Sequence, residues 1–236
     1  MALIRPGKFD ITDKAMEIWN LPEGSRVLGV GCGDGTSAEH VKDKYGFDIT
    51  GIDMSLKSIN EGKERNKDLD LRLADGEFLD EFSSYTFDGI MMECSLSLIN
   101  LPDEALHEAY CVLKKGGRLF ISDLYVKQPD PKLVKAVAIE AERQAKIPHK
   151  EGDCEEDKQR QVDFRFEGAF FKDPLIRYME DEVGFKVTVF EDRSRELDEY
   201  VGEKILQDGS LDTCVTVCKG KKGIGYFMLI AEKPVL

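Results

Sequence analysis

The stretch Val27-Leu28-Gly29-Val30-Gly31-Cys32-Gly33-Asp34-Gly35 constrains this chain most, because a short apolar run breaks into alternating glycines and a helical pattern follows at once. It reads as strand, tight turn, helix. Glycines at 31, 33 and 35 remove every second side chain, so the backbone can take positive φ and come close to a ligand. The spacing narrows the ligand. A dinucleotide turn, Gly-x-Gly-x-x-Gly, counted from Gly31 requires a small residue at 36, where Thr36 stands. Asp34 would repel a diphosphate, whereas a ligand carrying an ammonium group tolerates an acid there.

The elements that follow alternate strand and helix. Thr36 to Tyr45 predicts a helix with Ala38, Val41 and Tyr45 on one stripe and Gly46 as its cap. Phe47 to Ile52 predicts a second strand ending at Asp53, an acid placed to accept hydrogen bonds from ribose hydroxyls. Ser55 caps a helix to about Asn66, and Leu69, Leu71 and Leu73 alternate as a third strand that stops at Ala74-Asp75-Gly76-Glu77. Phe87 to Met92 is a fourth strand with Glu93-Cys94-Ser95 at its carboxyl end, where open α/β sheets bind ligands. A helix is expected from Asp103 to Lys115, stopped by Gly116-Gly117, and a fifth strand from Arg118 to Ser122. His107 lies off the apolar stripe of that helix and reads as solvated.

Ahead of the first strand, Thr12 is expected to cap a short helix whose apolar side is Ala15, Met16 and Trp19. Asp130-Pro131 opens a helix carrying Leu133, Val134, Val137, Ala138 and Ala141. The charged stretch from His149 to about Glu167 reads as a lid or surface loop, too polar for core. A helix with Leu175, Ile176, Met179 and Val183 ends at Gly184, and a sixth strand runs from Phe185 to Phe190. A further helix carries Leu197, Val201 and Ile205, and after it come Cys214 to Cys218 and a long apolar strand from Gly225 to Ala231.

The net charge of −13 turns polyanions away from most of the surface, so nucleic acid is not an expected partner. No apolar leader or membrane-length run is present, which leads to the expectation of a cytoplasmic protein. The six cysteines show no secreted-domain framework and are expected as reduced thiols, with no metal site assigned.

Gly31-Cys32-Gly33-Asp34-Gly35, Gly51-Ile52-Asp53-Met54-Ser55, Leu73-Ala74-Asp75-Gly76-Glu77 and Val112-Leu113-Lys114-Lys115-Gly116-Gly117-Arg118 together resemble the class I methyltransferases, nearest in pattern to quinone-ring and arsenite members. The resemblance implies an α/β fold, a doubly wound seven-stranded mostly parallel sheet with a helical or loop insertion after strand five. The last strand would insert antiparallel between the fifth and sixth. It further implies one domain: a cover segment at 1–24, a cofactor-binding half at 25–124, an insertion at 125–184 and C-terminal strands with a long connection at 185–236.

The implied cofactor is S-adenosylmethionine and the implied partner a small-molecule acceptor, with oligomeric state open. Its site would draw on Arg5, Gly31, Cys32, Gly33, Asp53, Met54, Asp75, Gly76 and Glu93. Arg5 would meet the cofactor's carboxylate, or else be a solvated arginine near a terminus. Asp75 would receive the adenine amino group, with Gly76 giving backbone contact. Glu93 is the candidate general base or a contact to the cofactor's ammonium. One departure stands out: the family carries an acid at the position of Gly29, so Asp34 or Glu93 would have to hold the ammonium. Two alternatives follow: a non-catalytic binding protein of this fold, or an arsenite or thiol methyltransferase using Cys94, Cys154, Cys214 and Cys218. A nicotinamide-linked oxidoreductase is the third reading, disfavoured by the glycine spacing.

Overall fold

The computed structural model describes residues 5–146, 163–166, 168–208 and 223–235. Its elements are α1 (Asp10–Trp19), β1 (Arg26–Val30), α2 (Thr36–Tyr45), β2 (Asp48–Asp53), α3 (Leu56–Arg65), β3 (Asp70–Leu73), β4 (Phe87–Glu93), α4 (Pro102–Val112) and β5 (Leu113–Val126). There follow α5 (Pro131–Ala145), β6 (Arg165–Phe166), β7 (Ala169–Phe170), α6 (Lys172–Arg177), β8 (Lys186–Asp192), α7 (Ser194–Asp208) and β9 (Ile224–Glu232). The sheet runs β3-β2-β1-β4-β5-β9-β8. The pairs from β3 to β5 are parallel, and β9 lies antiparallel between β5 and β8, as expected of the last strand.

Side chains alternate across this sheet and divide the core in two. Ile90 and Met92 of β4 face α4 and the helix that continues α6, packing with Leu106, Ala109 and Met179. Met91, Val27, Ile49 and Phe120 face the other way onto Ile11, Met16 and Trp19 of α1 and Ala38 and Val41 of α2. The chain runs outward from β1 to β3 and returns to β4 beside β1, so the strand order reverses between β1 and β4. A crevice opens outside the carboxyl ends of such a pair.

Where local chemistry decides an end, the expected boundary stands: α2 closes on Gly46 with φ 68°, α3 is capped by Ser55 accepting from Ser58 N, and Asp130 caps α5. Three expectations are corrected. The fourth helix stops at Val112, not Lys115, and Leu113 to Gly117 belong to a long β5 whose register against β4 shifts between Phe87 and Gly89. Gly116, with φ 76°, thus serves a strand irregularity rather than a helix stop. Thr12 is no cap: it lies inside α1, fully buried, and the helix begins from Phe9 without a side-chain cap. His107 is not solvated: its Nε2 lies 3.1 Å from Tyr178 Oη, ring edge to ring face.

Of the charged stretch from His149 to Glu167, only residues 163–166 are described, and they correct the expectation of pure surface. Phe164 is fully buried, and Arg165–Phe166 pair with Ala169–Phe170 as a small hairpin that joins the end of β5 through Tyr125 and Phe170. These two short strands bring the sheet to nine rather than seven. Cys154 and the run from Cys214 to Cys218 lie outside the described residues.

Candidate functional site

The glycine turn leaves β1 in left-handed geometry, with φ of 69°, 57° and 74° at Gly31, Gly33 and Gly35. Each has its own reason. A Cβ on Gly31 would fall 2.3 Å from Ser95 Cβ, because Ser95 packs across the turn and donates to Val30 O at 2.8 Å. A Cβ on Gly35 would strike Leu71. A Cβ on Gly33 would meet nothing within 4 Å, and Gly33 is among the residues that line a cavity of about 390 Å³.

The cavity sits at the β1–β4 reversal and is lined by the turn, by Gly29 and Met91 beneath it, by Thr36 and Ser37 at the start of α2, and by Arg5, Glu93 and Cys94. Of the expected site residues, Arg5, Gly31, Cys32, Gly33 and Glu93 therefore line the one cavity. Asp53, Met54, Asp75 and Gly76 are not among the lining residues; they follow along the same edge of the sheet. Asp53 accepts from Gly33 N with one oxygen and from Ser55 N with the other, both at 2.8 Å, and so ties the glycine turn to the end of β2. Met54 is 68% exposed, and Leu56, Leu73 and Phe78 are exposed with it. Asp75 accepts from Glu77 N in a local turn, and a Cβ on Gly76 would press on Val30.

Arg5 and Glu93 are paired. Arg5 Nη1 lies 2.7 Å from Glu93 Oε2, with the two side chains only 10% and 7% exposed. Thr12 Oγ1 accepts from Arg5 Nη2 and donates to Glu93 Oε1, and Arg5 also donates to Ser37 Oγ and to Lys8 O. Thr12 and Ser37 were not foreseen. A readable signal existed for Thr12, a polar residue at a position of the apolar stripe with Ala15, Met16 and Trp19.

Asp34 is engaged elsewhere: it accepts from Thr36 N and Oγ1 and pairs with Arg65 at 2.6 Å. Burial works to raise its pKa, but the Thr36 hydrogen bonds and the Arg65 guanidinium outweigh that and hold it below the ordinary carboxylate value. It stays ionised in the shell of the turn.

Cys94, just past β4, has φ 53°, a left-handed conformation that L side chains rarely adopt. Its Sγ lies 2.9 Å from Tyr226 Oη, which donates to Ser122 Oγ at 3.0 Å. Burial pushes the Cys94 thiol far up, and the Cys32 thiol is pushed up to about 12, by burial first and by Asp53 and Asp34 second. Both stay protonated, poor ligands for a soft cation and poor nucleophiles. Among the described residues, no group of three or more His, Cys, Asp or Glu is arranged to hold a metal. Asp123, buried next to this group, has its pKa raised to about 6 by burial, moderated by hydrogen bonds from Ser97 N and Leu124 N and by Arg165.

The segment after β4 is held at four points. Ser95 bonds Val30 O, Asp123 accepts from Ser97 N, Glu77 accepts from Asn100 N and Leu101 N, and Arg165 donates to the carbonyls of Ser97, Ile99 and Asn100. This tethering fixes the wall that carries Glu93 and Cys94. Among the described residues, no helix is long and apolar enough to cross a membrane.

Comparison with known proteins agrees with this geometry. The family described as methyltransferase domain matches residues 28–121, from β1 into β5. The demethylmenaquinone methyltransferase of Renibacterium salmoninarum is 37% identical over 100 residues, 42% of this chain and 41% of that protein. The chain thus spans about two fifths of the length of such curated relatives. A solved [4+2]-cyclase, SpnF, superimposes with a TM-score of 0.68 at 25% identity, covering 96% of this chain and 80% of that one. Phosphoethanolamine N-methyltransferase 2 of Haemonchus contortus, solved with S-adenosyl-L-methionine, gives 0.67 at 19% identity over 98% of this chain and 54% of its own. Strand order and glycine turn agree with that match, and residues 28–121 of this chain are similar to the methyltransferase domain family.

Proposed function

We propose that the protein transfers the methyl group of S-adenosylmethionine to a small-molecule acceptor. The observation that carries this reading is the cavity at the β1–β4 reversal, which Gly33 lines together with one cation and one anion whose side chains are largely shielded from solvent, Arg5 and Glu93. A ligand with a flat nucleoside and a zwitterionic tail fits that donor set. Gly31, Cys32 and Gly33 would give backbone contact, Asp53 would take the ribose hydroxyls, and Met54 would lie against the adenine. Asp75 and Gly76 would meet the adenine edge. When bound, the cofactor supplies an electrophilic sulfonium methyl.

What the chain's own residues contribute is alignment and exclusion of water. The tethered segment 95–101 and the β6–β7 hairpin keep the carboxyl end of β4 in one geometry. Both oxygens of Glu93 are occupied, by Arg5 and by Thr12, which favours a binding role for this carboxylate over that of a free general base. The two cavity cysteines, protonated and in part hydrogen-bonded, favour a nucleophile that arrives with the acceptor. Quinols and amines are the acceptor classes suggested by the demethylmenaquinone and phosphoethanolamine enzymes.

A second reading, a binding or non-methylating protein of the same fold, is favoured by Gly29 in place of an acid and by the likeness to a [4+2]-cyclase. Calorimetric titration with S-adenosylmethionine, S-adenosylhomocysteine and NAD separates the readings. The expected result is micromolar binding of the first two and none of NAD, followed by label transfer from methyl-labelled cofactor to a quinol or amine. Tight binding with no transfer to any acceptor would replace the first reading by the second.

A further inference from the structure

Among the described residues, six of the ten exposed large hydrophobic side chains lie at one end of the molecule. Met54 and Leu56 follow β2, Leu73 ends β3 and Phe78 comes after it, Leu98 follows β4, and Phe166 stands on the hairpin joined to the end of β5. Met54 is assigned to the adenine above, whereas Leu98 and Phe166 have no role there. A single exposed leucine needs no explanation on most surfaces. Leu98 differs because the chain around it is fixed. It closes the short turn Leu96–Leu98, in which Leu96 is fully buried and the next residue, Ile99, packs on the core, yet Leu98 is 71% exposed. A loose loop would fold such a side chain inward; a segment held at Ser95, Ser97, Asn100 and Leu101 is prevented from doing so.

The charges around this segment are all engaged. A guanidinium has five N–H donors, and Arg165 uses every one: Nη1 on Ser97 O and Ile99 O, Nη2 on Asn100 O and Asp163 Oδ2, and Nε on Asp163 Oδ1. Ser97 and Ile99 flank Leu98, so this clasp fixes the backbone on both sides of it and brings Phe166, the residue after Arg165, to the same segment. Phe166 is 44% exposed, its ring 6.4 Å from that of buried Phe171. The other charged groups bonded here are carboxylates: Asp123 on Ser97 N, Glu77 on Asn100 N and Leu101 N, and Asp163 on Arg165. Among the described residues bonded to this segment, no cation is left to receive a phosphate or a carboxylate, and the acids outnumber the one arginine.

We propose that Leu98 and Phe166 seat an apolar ring or chain of the methyl acceptor and so select acceptors with an apolar body and no anionic group. This rests on the methyl-transfer reading given above and narrows it. Cys94 lines the cavity, and four residues of chain put the Cα of Leu98 at most about 14 Å from that of Cys94. An acceptor whose reacting atom enters the cavity there can reach Leu98 with a second ring or a short alkyl chain. Seating an apolar group on these side chains takes both surfaces out of water, and the fixed backbone leaves little ordering entropy to lose. A phosphate-bearing acceptor would meet apolar side chains, carboxylates and a saturated arginine, and would lose its hydration without a partner in return.

The test measures, by anaerobic calorimetry, the binding of naphthohydroquinone without a chain, with a short alkyl chain and with a long one, and of phosphoethanolamine as the anionic control. Each is titrated into the protein with and without saturating S-adenosylhomocysteine. The wild type is expected to gain about two- to fourfold in affinity per methylene until the seat is full, and to bind phosphoethanolamine at least about a hundredfold more weakly than the long-chain probe. Leu98→Asn and Phe166→Asn are each expected to lose about tenfold for the long-chain probe and to flatten the gain with chain length. Both should hold the chain-less probe and S-adenosylhomocysteine within about twofold, and Leu98→Met should keep the wild-type series. An affinity independent of chain length, tighter binding of phosphoethanolamine, equal losses for every probe, or binding of no probe overturns the inference. If S-adenosylhomocysteine binds and the chain-length series is flat, the cofactor reading stands and the seat falls. If the series is steep and the cofactor does not bind, the apolar seat stands and methyl transfer falls. The series on the wild type decides the matter even where a variant fails to fold.

Discussion

Gly31 and Gly33 stand two positions apart, share a positive φ, and answer to different demands. At Gly31 a methyl would occupy the space of Ser95, whose hydroxyl fastens the turn to the wall beyond β4. Gly31→Ala is therefore expected to cost about 2–4 kcal/mol in urea denaturation, from strain and overlap together. At Gly33 the methyl would enter open space, so Gly33→Ala should cost only about 1 kcal/mol of left-handed strain. Its S-adenosylhomocysteine affinity, in contrast, should fall about tenfold or more. A Gly33 variant that binds as well as wild type would place the ligand off this face of the turn. Both glycines are conspicuous in the sequence, but the partner that separates them, Ser95, is distant along the chain and met only in the fold.

Helices α2 and α3 end where they were expected to, because Gly46 and Ser55 act on their own neighbours. The boundary between α4 and β5 moved because it is set from outside: Lys114 reaches Asp88 of β4, and Gly116 N donates to Lys233 O beyond β9. The β6–β7 hairpin escaped notice for a related reason. Its two-residue strands carry no periodicity, and Phe164 and Arg165 sit in a stretch whose composition is dominated by charge. Arg165 is nonetheless the clasp of the segment after β4, its guanidinium spanning three carbonyls with only 13% of the side chain exposed. Arg165→Ala is expected to lower stability by about 2 kcal/mol in chemical denaturation. Arg165→Lys should recover only a fraction, since one ammonium cannot span the fork. Full recovery by lysine would reduce the contact to simple charge.

Across the molecule, β4, β5 and β9 are hydrogen-bonded on both edges and hold the two large core clusters, whereas β3 is an edge strand of four residues. With α3 it rests on a small cluster of Ile59, Leu69 and Leu71. Hydrogen exchange is expected to protect the amides of β4, β5 and β9 longest and to release α3 and β3 earlier, through local opening. Equal protection of α3 and β4 would show a single cooperative unit instead. The strand-turn-helix order, the caps at Gly46, Ser55 and Asp130 and the glycine turn were legible from the chain alone, because periodicity and backbone preference act between near neighbours. Only the tertiary structure decided that Arg5 meets Glu93, that Asp34 belongs to Arg65 and that Thr12 is a buried bridge. Each of those pairings joins residues on different elements, and a charge chooses its partner by distance and burial once the sheet has brought the candidates together.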